Sequence, residues 1–525
     1  MTRIYHYFER KYHETSPSKW LSSLIFVGLG LSATLWFLIR VIPKPSRATY
    51  PCMQAAAPLM STFVIYLISL WAGFKAFSKS KRLLKQGKIA WATCFVLFAL
   101  FFGIVFTFNN AKDIAANMLK TNNAAPAFML PANAPQGDAK GTFSGRVAWT
   151  YAPNTANWDE TTGFWFEDRW NDQNKCDQLL WETLCLLTGT TNEKEAWVEL
   201  FSYFNKSKGK ATLPYQRGQK IAVKINQNNT YSHEDSEELN ASPHLTLSLL
   251  RSLVNEAGVP QEQITIFEPS RFITNYLFNK CVAEFPHVKF VDNSGEDGRI
   301  KSTYISDAMK YSADNGKLAT GMATQLAEAD YVINFALLKG HNGQGVTLCG
   351  KNWYGIMDIH ANWRNNAHNN FNQNRNGKAQ YMTFVDFMGH QYTGEKTFLY
   401  LIDALYGSEK VNGKPSGKWN LAPFNGNWPN SLFASQDPVA IDAVGLDFLS
   451  SEWPSMVDIN YADMYLLEAA LANQPPSETF YDPEKDGIRL KSLGVAEHWN
   501  NPVDKKYSRN LGKNEGIELV YKPLP

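Results

Sequence analysis

ADYVINFALLKGHNGQGVTLCGKNWYG, residues 329–355, decides how this chain is read. Its first ten residues are apolar and β-branched enough to form a strand that is buried on both faces, as in the centre of a parallel sheet. The run then turns polar and rich in glycine. Gly340, Gly343, Gly345, Gly350 and Gly355 let a backbone come close to a ligand, because no Cβ stands in the way. Ligands of parallel α/β sheets collect at the carboxyl ends of strands, which is where this segment falls. Lys339, His341, Lys351 and, further on, His360 bring positive or titratable groups whose natural partner is phosphate or carboxylate. The expected chemistry is acid–base catalysis on a small anionic or sugar-like ligand. His341 gives or takes the proton, Lys339 and Lys351 neutralise charge, and Gly345 and His360 contribute to binding.

Two other readings of the segment compete. Residues 345–351 match the GxxxxGK core of a phosphate loop, but the next position, where a hydroxyl should bind magnesium, is Asn352. His341, His360, His368 and His390 admit a divalent metal as cofactor, with His341 and His360 as ligand candidates, although no HxxxH or HExxH pair sets two on one helix face. Cys349 is expected to be a small buried residue, not a nucleophile. The Asn-rich stretch 361–378 reads as a solvated loop, with a lid as its functional alternative.

Working outward, strands and helices alternate. KIAVKIN (220–226), QITIFE (263–268), HVKFVD (287–292) and FLYLIDALYG (398–407) read as strands. Residues 243–258, 272–284 and 437–451 read as helices, the last capped by Asp437 with Pro438 in its first turn. Asp442 and Asp447 follow at five-residue steps and are expected at the surface. This alternation predicts an α/β class with a mainly parallel sheet flanked by helices. Residues 141–215, rich in Trp, read as a less regular preface whose aromatics pack a core or stack on sugars.

The N-terminal part is a different polymer. Residues 1–110 hold 13 Lys and Arg against two acids, whereas the remainder holds 38 against 47. The acidic remainder argues against nucleic acid as a partner. Residues 21–39, 55–74 and 89–108 carry no charge, and each approaches the ~20 residues that span a bilayer as a helix. The expectation is an anchor of three transmembrane helices over 1–110, a linker over 111–145 and one α/β domain over 146–525. The Lys and Arg of the tail and of residues 75–88 place those segments in the cytoplasm by the positive-inside rule. That makes the chain a multi-pass protein of the plasma (inner) membrane with its domain on the extracytoplasmic side. Of the six cysteines, Cys176 and Cys185 lie nine residues apart on an expected helix, too far along its axis to bridge. No CxxC pair occurs, so no iron–sulfur cluster is expected.

VKINQN (223–228), ASPHLTLSLLRSLVNEAGV (241–259), residues 329–355 and SQDPVAIDAVGLDFL (435–449) together resemble the bacterial DUF362 family, a domain of unknown function, in a membrane-anchored form. The likeness extends over roughly 145–500 and implies a single α/β domain. Some members carry a ferredoxin-like module with clustered cysteines, which this chain lacks. The family supplies no settled reaction, so no catalytic residue is carried over. Its motif positions Lys224, Asn226, Lys339, His341, Thr347, Lys351 and Asn352 are expected to line the site. A ligand-binding or sensor module, or a scaffold of a membrane complex, are the alternatives to an enzyme.

Overall fold

The computed structural model describes residues 131–525 except 314–320, 343, 359–379 and 457–458, together with scattered positions between 31 and 86. The chain divides into two units, Met1–Ala124 and Ala125–Pro525, and the second carries the fold below.

Its strands are β1 (Arg146–Tyr151), β2 (Ile221–Lys224), β3 (Ile264–Glu268), β4 (Lys289–Asp292), β5 (Ile300–Lys301), β6 (Tyr331–His341), β7 (Gly345–Thr347), β8 (Thr397–Ser408), β9 (Ser431–Ser435) and β10 (Glu518–Pro523). They form one sheet in the order β10-β1-β9-β8-β6-β2-β3-β4-β5, with β7 folded back on β6. From β8 to β5 every pairing is parallel. β9 runs antiparallel to both of its neighbours, and β10 lies parallel to β1 at the edge.

Period-two alternation assigns side chains to the two faces. Ile221 and Val223 of β2, and Ile333 and Phe335 of β6, face one core, while Ala222, Val332 and Ala336 face the other. The first core is covered by α1 (Gln173–Thr188), α2 (Glu193–Ser207), α3 (Pro243–Arg251) and α4 (Asn275–Val282) through residues such as Leu184, Trp197, Leu249 and Leu277. The second is covered by α5 (Cys349–Asn352), α6 (Thr383–Gly389), α7 (Pro438–Glu452) and α8 (Ile459–Ala470) through Cys349, Phe384, Val444 and Tyr465. Local chemistry starts these helices where they start. Asp172 caps α1 by accepting from the Asn174 and Lys175 amides, and Gly189 ends it at φ 70. Ser242 before Pro243 and Asp437 before Pro438 do the same for α3 and α7.

A mixed α/β fold around a mainly parallel sheet is thus what the described residues form. The expected three transmembrane helices are corrected: among the described residues no helix is long and apolar enough to cross a membrane. The longest helices among the described residues, of 16 and 15 residues, fall short of the ~20 that a bilayer core requires. The multi-pass placement and the membrane-anchored form rested on those spans and are corrected with them. The runs 21–39, 55–74 and 89–108 lie outside the described residues apart from the scattered positions.

Smaller differences have local causes. The preface is regular, because 146–151 is a strand inside the sheet and α1 and α2 cover it. Its Trp149, Trp158 and Trp165 are buried, so they pack the core. Asp442 and Asp447 are buried rather than exposed, since Pro438 to Leu449 are covered on all sides. Cys176, Cys185, Cys281 and Cys349 are free thiols.

Candidate functional site

The chain runs from β2 outward to β3, β4 and β5, then returns to place β6 on the other side of β2. Sheet order reverses there. The helix after β2 covers one face and the helices after β6 cover the other, so the connections part at the carboxyl ends and leave a crevice. A cavity of about 280 Å³ occupies this position. Lys224 and Asn226 line it from the end of β2, Glu268, Ser270 and Arg271 from the end of β3, and His341, Thr347, Lys351 and Asn352 from the β6–β7 hairpin and α5.

The hairpin explains the glycine pattern. Gly345 is opposite His341, Val346 opposite Gly340 and Thr347 opposite Lys339. The strand therefore continues through Lys339 and His341, three residues beyond the apolar run, before turning back. Gly345 enters β7 at φ 79, a conformation that suits glycine. A Cβ at Gly340 would stand 2.1 Å from the Glu409 carbonyl, so β6 passes that loop in backbone contact.

At the cavity floor, Lys224 Nζ donates to Glu268 Oε2 (2.9 Å), to the Ile225 carbonyl (2.7 Å) and to Asn352 Oδ1 (3.2 Å). Burial pulls the Lys224 ammonium below its ordinary pKa, and Glu268 pushes it back. Asn352 Nδ2 donates to Asn334 Oδ1 (2.8 Å) and the Lys224 carbonyl (3.2 Å), locking α5 to β2 and β6. Arg271 donates through Nε to the Asn228 carbonyl (2.8 Å) and lies 4.9 Å from the Tyr231 ring. Lys351 Nζ sits 3.9 Å above the Tyr354 ring. His341 Nδ1 is 2.6 Å from the Asn342 carbonyl. A carbonyl only accepts, so Nδ1 carries the hydrogen and Nε2 is the basic nitrogen of the neutral ring.

Lys339 lies behind this wall, buried, with Nζ donating to Asn228 Oδ1 (2.7 Å) and the Leu239 carbonyl (3.1 Å). Burial lowers its pKa to about 7, against a partial pull upward from Glu238 and Glu268. It touches the site through Asn228. His360 and the 361–378 stretch lie outside the described residues, as does His368.

Residues 345–352 are not a phosphate loop. The Cys349 and Gly350 amides, which such a loop would offer to a ligand, donate to Asp442 Oδ1 (2.8 Å) and Oδ2 (2.7 Å) from α7. Burial, then the Asp442 charge, raises the Cys349 thiol well above its ordinary pKa, so this thiol is not a nucleophile. His390 is turned away to the Ala308 carbonyl at 2.7 Å. Among the described residues no cluster of His, Cys, Asp and Glu could hold a metal ion.

Sequence reasoning missed Glu268, Ser270 and Arg271 at the end of β3, and Asn228, Tyr231 and Tyr354. The signal for the first three was present: Glu-Pro-Ser-Arg follows QITIFE's apolar core, at a strand end of the same kind as the one after β6.

Comparison with curated proteins finds no match. Residues 221–447, which run from β2 into α7 and include every cavity-lining residue named above, match the family described as Domain of unknown function (DUF362), a narrower span than the motifs suggested.

Proposed function

We propose that the cavity at the ends of β2, β3 and β6 binds a small anionic ligand, on which His341 acts as proton acceptor. One observation carries this reading: the described lining brings Lys224, Arg271 and Lys351 together with a single carboxylate, Glu268, at a strand-order reversal. Glu268 is matched by Lys224, and the described lining counts three positive side chains against one negative. Arg271 presents a planar fork suited to carboxylate or phosphate. In the neutral His341 ring Nε2 carries the lone pair that a general base needs.

Calorimetric titration of the full chain with inorganic phosphate and with small carboxylates tests the reading. Binding is expected to weaken with salt and to fall about tenfold or more in Arg271→Ala, since a charge-assisted hydrogen bond is lost. His341→Gln is expected to keep the affinity and to abolish any turnover. Affinity that ignores both salt and Arg271→Ala would reject the proposal.

A further inference from the structure

We infer that the ligand carries a hydroxyl as well as an anionic group, and that Glu268 reads that hydroxyl. This rests on the anion-binding reading and names the class of ligand: a hydroxylated anion such as a polyol phosphate or a hydroxy acid.

Glu268 is buried at the end of β3, yet its carboxylate forms part of the cavity wall. Its two oxygens are used unequally. Oε2 accepts from Lys224 Nζ (2.9 Å) and the Gln227 amide (3.0 Å), whereas Oε1 accepts from Ser270 Oγ (3.1 Å). A carboxylate offers about four acceptor positions, so Oε1 retains capacity on its cavity side. Gly355 packs against this group: a Cβ there would stand 2.6 Å from Glu268 Oε1, 3.0 Å from Lys224 Nζ and 3.3 Å from Ser270 Oγ, so any side chain at 355 would displace the carboxylate from its partners.

The floor therefore presents an acceptor to the ligand, and its complement is an O–H donor. Lys224 cancels the carboxylate charge at short range, so Glu268 does not expel an anion held by Arg271 and Lys351 nearby. The side-chain amide of Asn412 on the same lining suits a further hydroxyl. A bare anion offers no donor to the remaining acceptor position of Oε1. Sites built to hydrogen-bond a hydroxyl reject the analogue that lacks it.

The experiment compares matched pairs on the full chain: glycerol phosphate against propyl phosphate, and glycerate against propanoate. Wild type is expected to prefer the hydroxylated member of at least one pair by about tenfold or more. Glu268→Gln is expected to reduce that preference to within about threefold, while the hydroxyl-free member binds as well or better because a negative charge is gone. Gly355→Ala checks the same point if Glu268→Gln does not fold, since its methyl group would stand 2.6 Å from Oε1 and so moves that oxygen out of its place. Equal binding of both members in wild type would overturn this inference alone, and so would a preference that survives in both variants. No binding of any of the four would overturn the anion reading with it.

Discussion

Lys339 is a base held where water cannot reach it, and linkage makes that measurable. Its pKa is about 7 in the fold, against roughly 10.4 for a lysine in the unfolded chain. Between those values the unfolded chain binds more protons, so stability rises with pH across the window. Lys339→Met is expected to remove this contribution, so the variant loses stability relative to wild type as pH rises. Urea unfolding of both proteins at about pH 7.5 and about pH 9.5 checks it, and a difference between them that stayed constant with pH would refute it. The same burial explains why the residue was legible only in part. Its place after an apolar strand marked it as close to a site, but nothing in LLKGH says that the strand continues two residues further and turns Lys339 toward the Asn228 and Leu239 oxygens. Glu268 and Arg271 were not legible for a related reason. Their importance depends on β3 lying two strands from β6, and strand order is a property of the sheet, not of either segment.

Among elements, the four-residue α5 is too short to stand alone, because helix nucleation is unfavourable. It is held by Asp442 of α7, which accepts from the Cys349 and Gly350 amides and from Tyr465 Oη (2.9 Å). Asp442→Ala leaves two buried amides and a phenol without their acceptor, and is expected to cost about 3 kcal/mol or more. Asp442→Asn retains one oxygen acceptor and is expected to cost less. Because Lys351 and Asn352 ride on α5, ligand affinity should fall with stability in the alanine variant. Chemical denaturation beside ligand titration checks both, and unchanged unfolding would remove the clamp from the account. Elements with a clean period were readable at this scale. KIAVKIN, QITIFE and HVKFVD gave β2, β3 and β4 within two residues, and Asp437-Pro438 gave the start of α7. RVAWTY was not readable, since a strand set among tryptophans has no contrast between its faces. ELVYKP pairs with it across more than 360 residues, which local pattern cannot show.

At the scale of the molecule, the C-terminal segment is pinned by a charged knot. His498 Nδ1 meets Asp447 of α7 at 2.6 Å and Nε2 meets Asp463 of α8 at 2.7 Å. Tyr507 Oη and the Trp499 amide donate to the other Asp447 oxygen at 2.8 and 2.9 Å. Burial pulls the imidazolium down, but the two carboxylates win and raise it to about 10. A histidine raised above its unfolded value of roughly 6.5 stabilises fully below that pH, and the contribution fades as pH climbs toward 10. This runs against the Lys339 trend over much of the same range, so the wild-type profile is flatter than either alone. His498→Gln is expected to expose the rise that Lys339 causes, with lower stability near neutral pH. A variant whose pH profile matched wild type would dismiss the knot as a source of stability.

The strand-order reversal at β2 has a kinetic consequence. Residues 224–271 and residues 339–355 meet only when β6 docks beside β2, after a loop of about a hundred residues has closed. Such pairing raises contact order and belongs to slow folding. The pocket is therefore born late, together with the middle of the sheet. No peptide ending before β6 holds even half of it in working form, and a ligand that binds there favours the completed sheet over every partly folded intermediate.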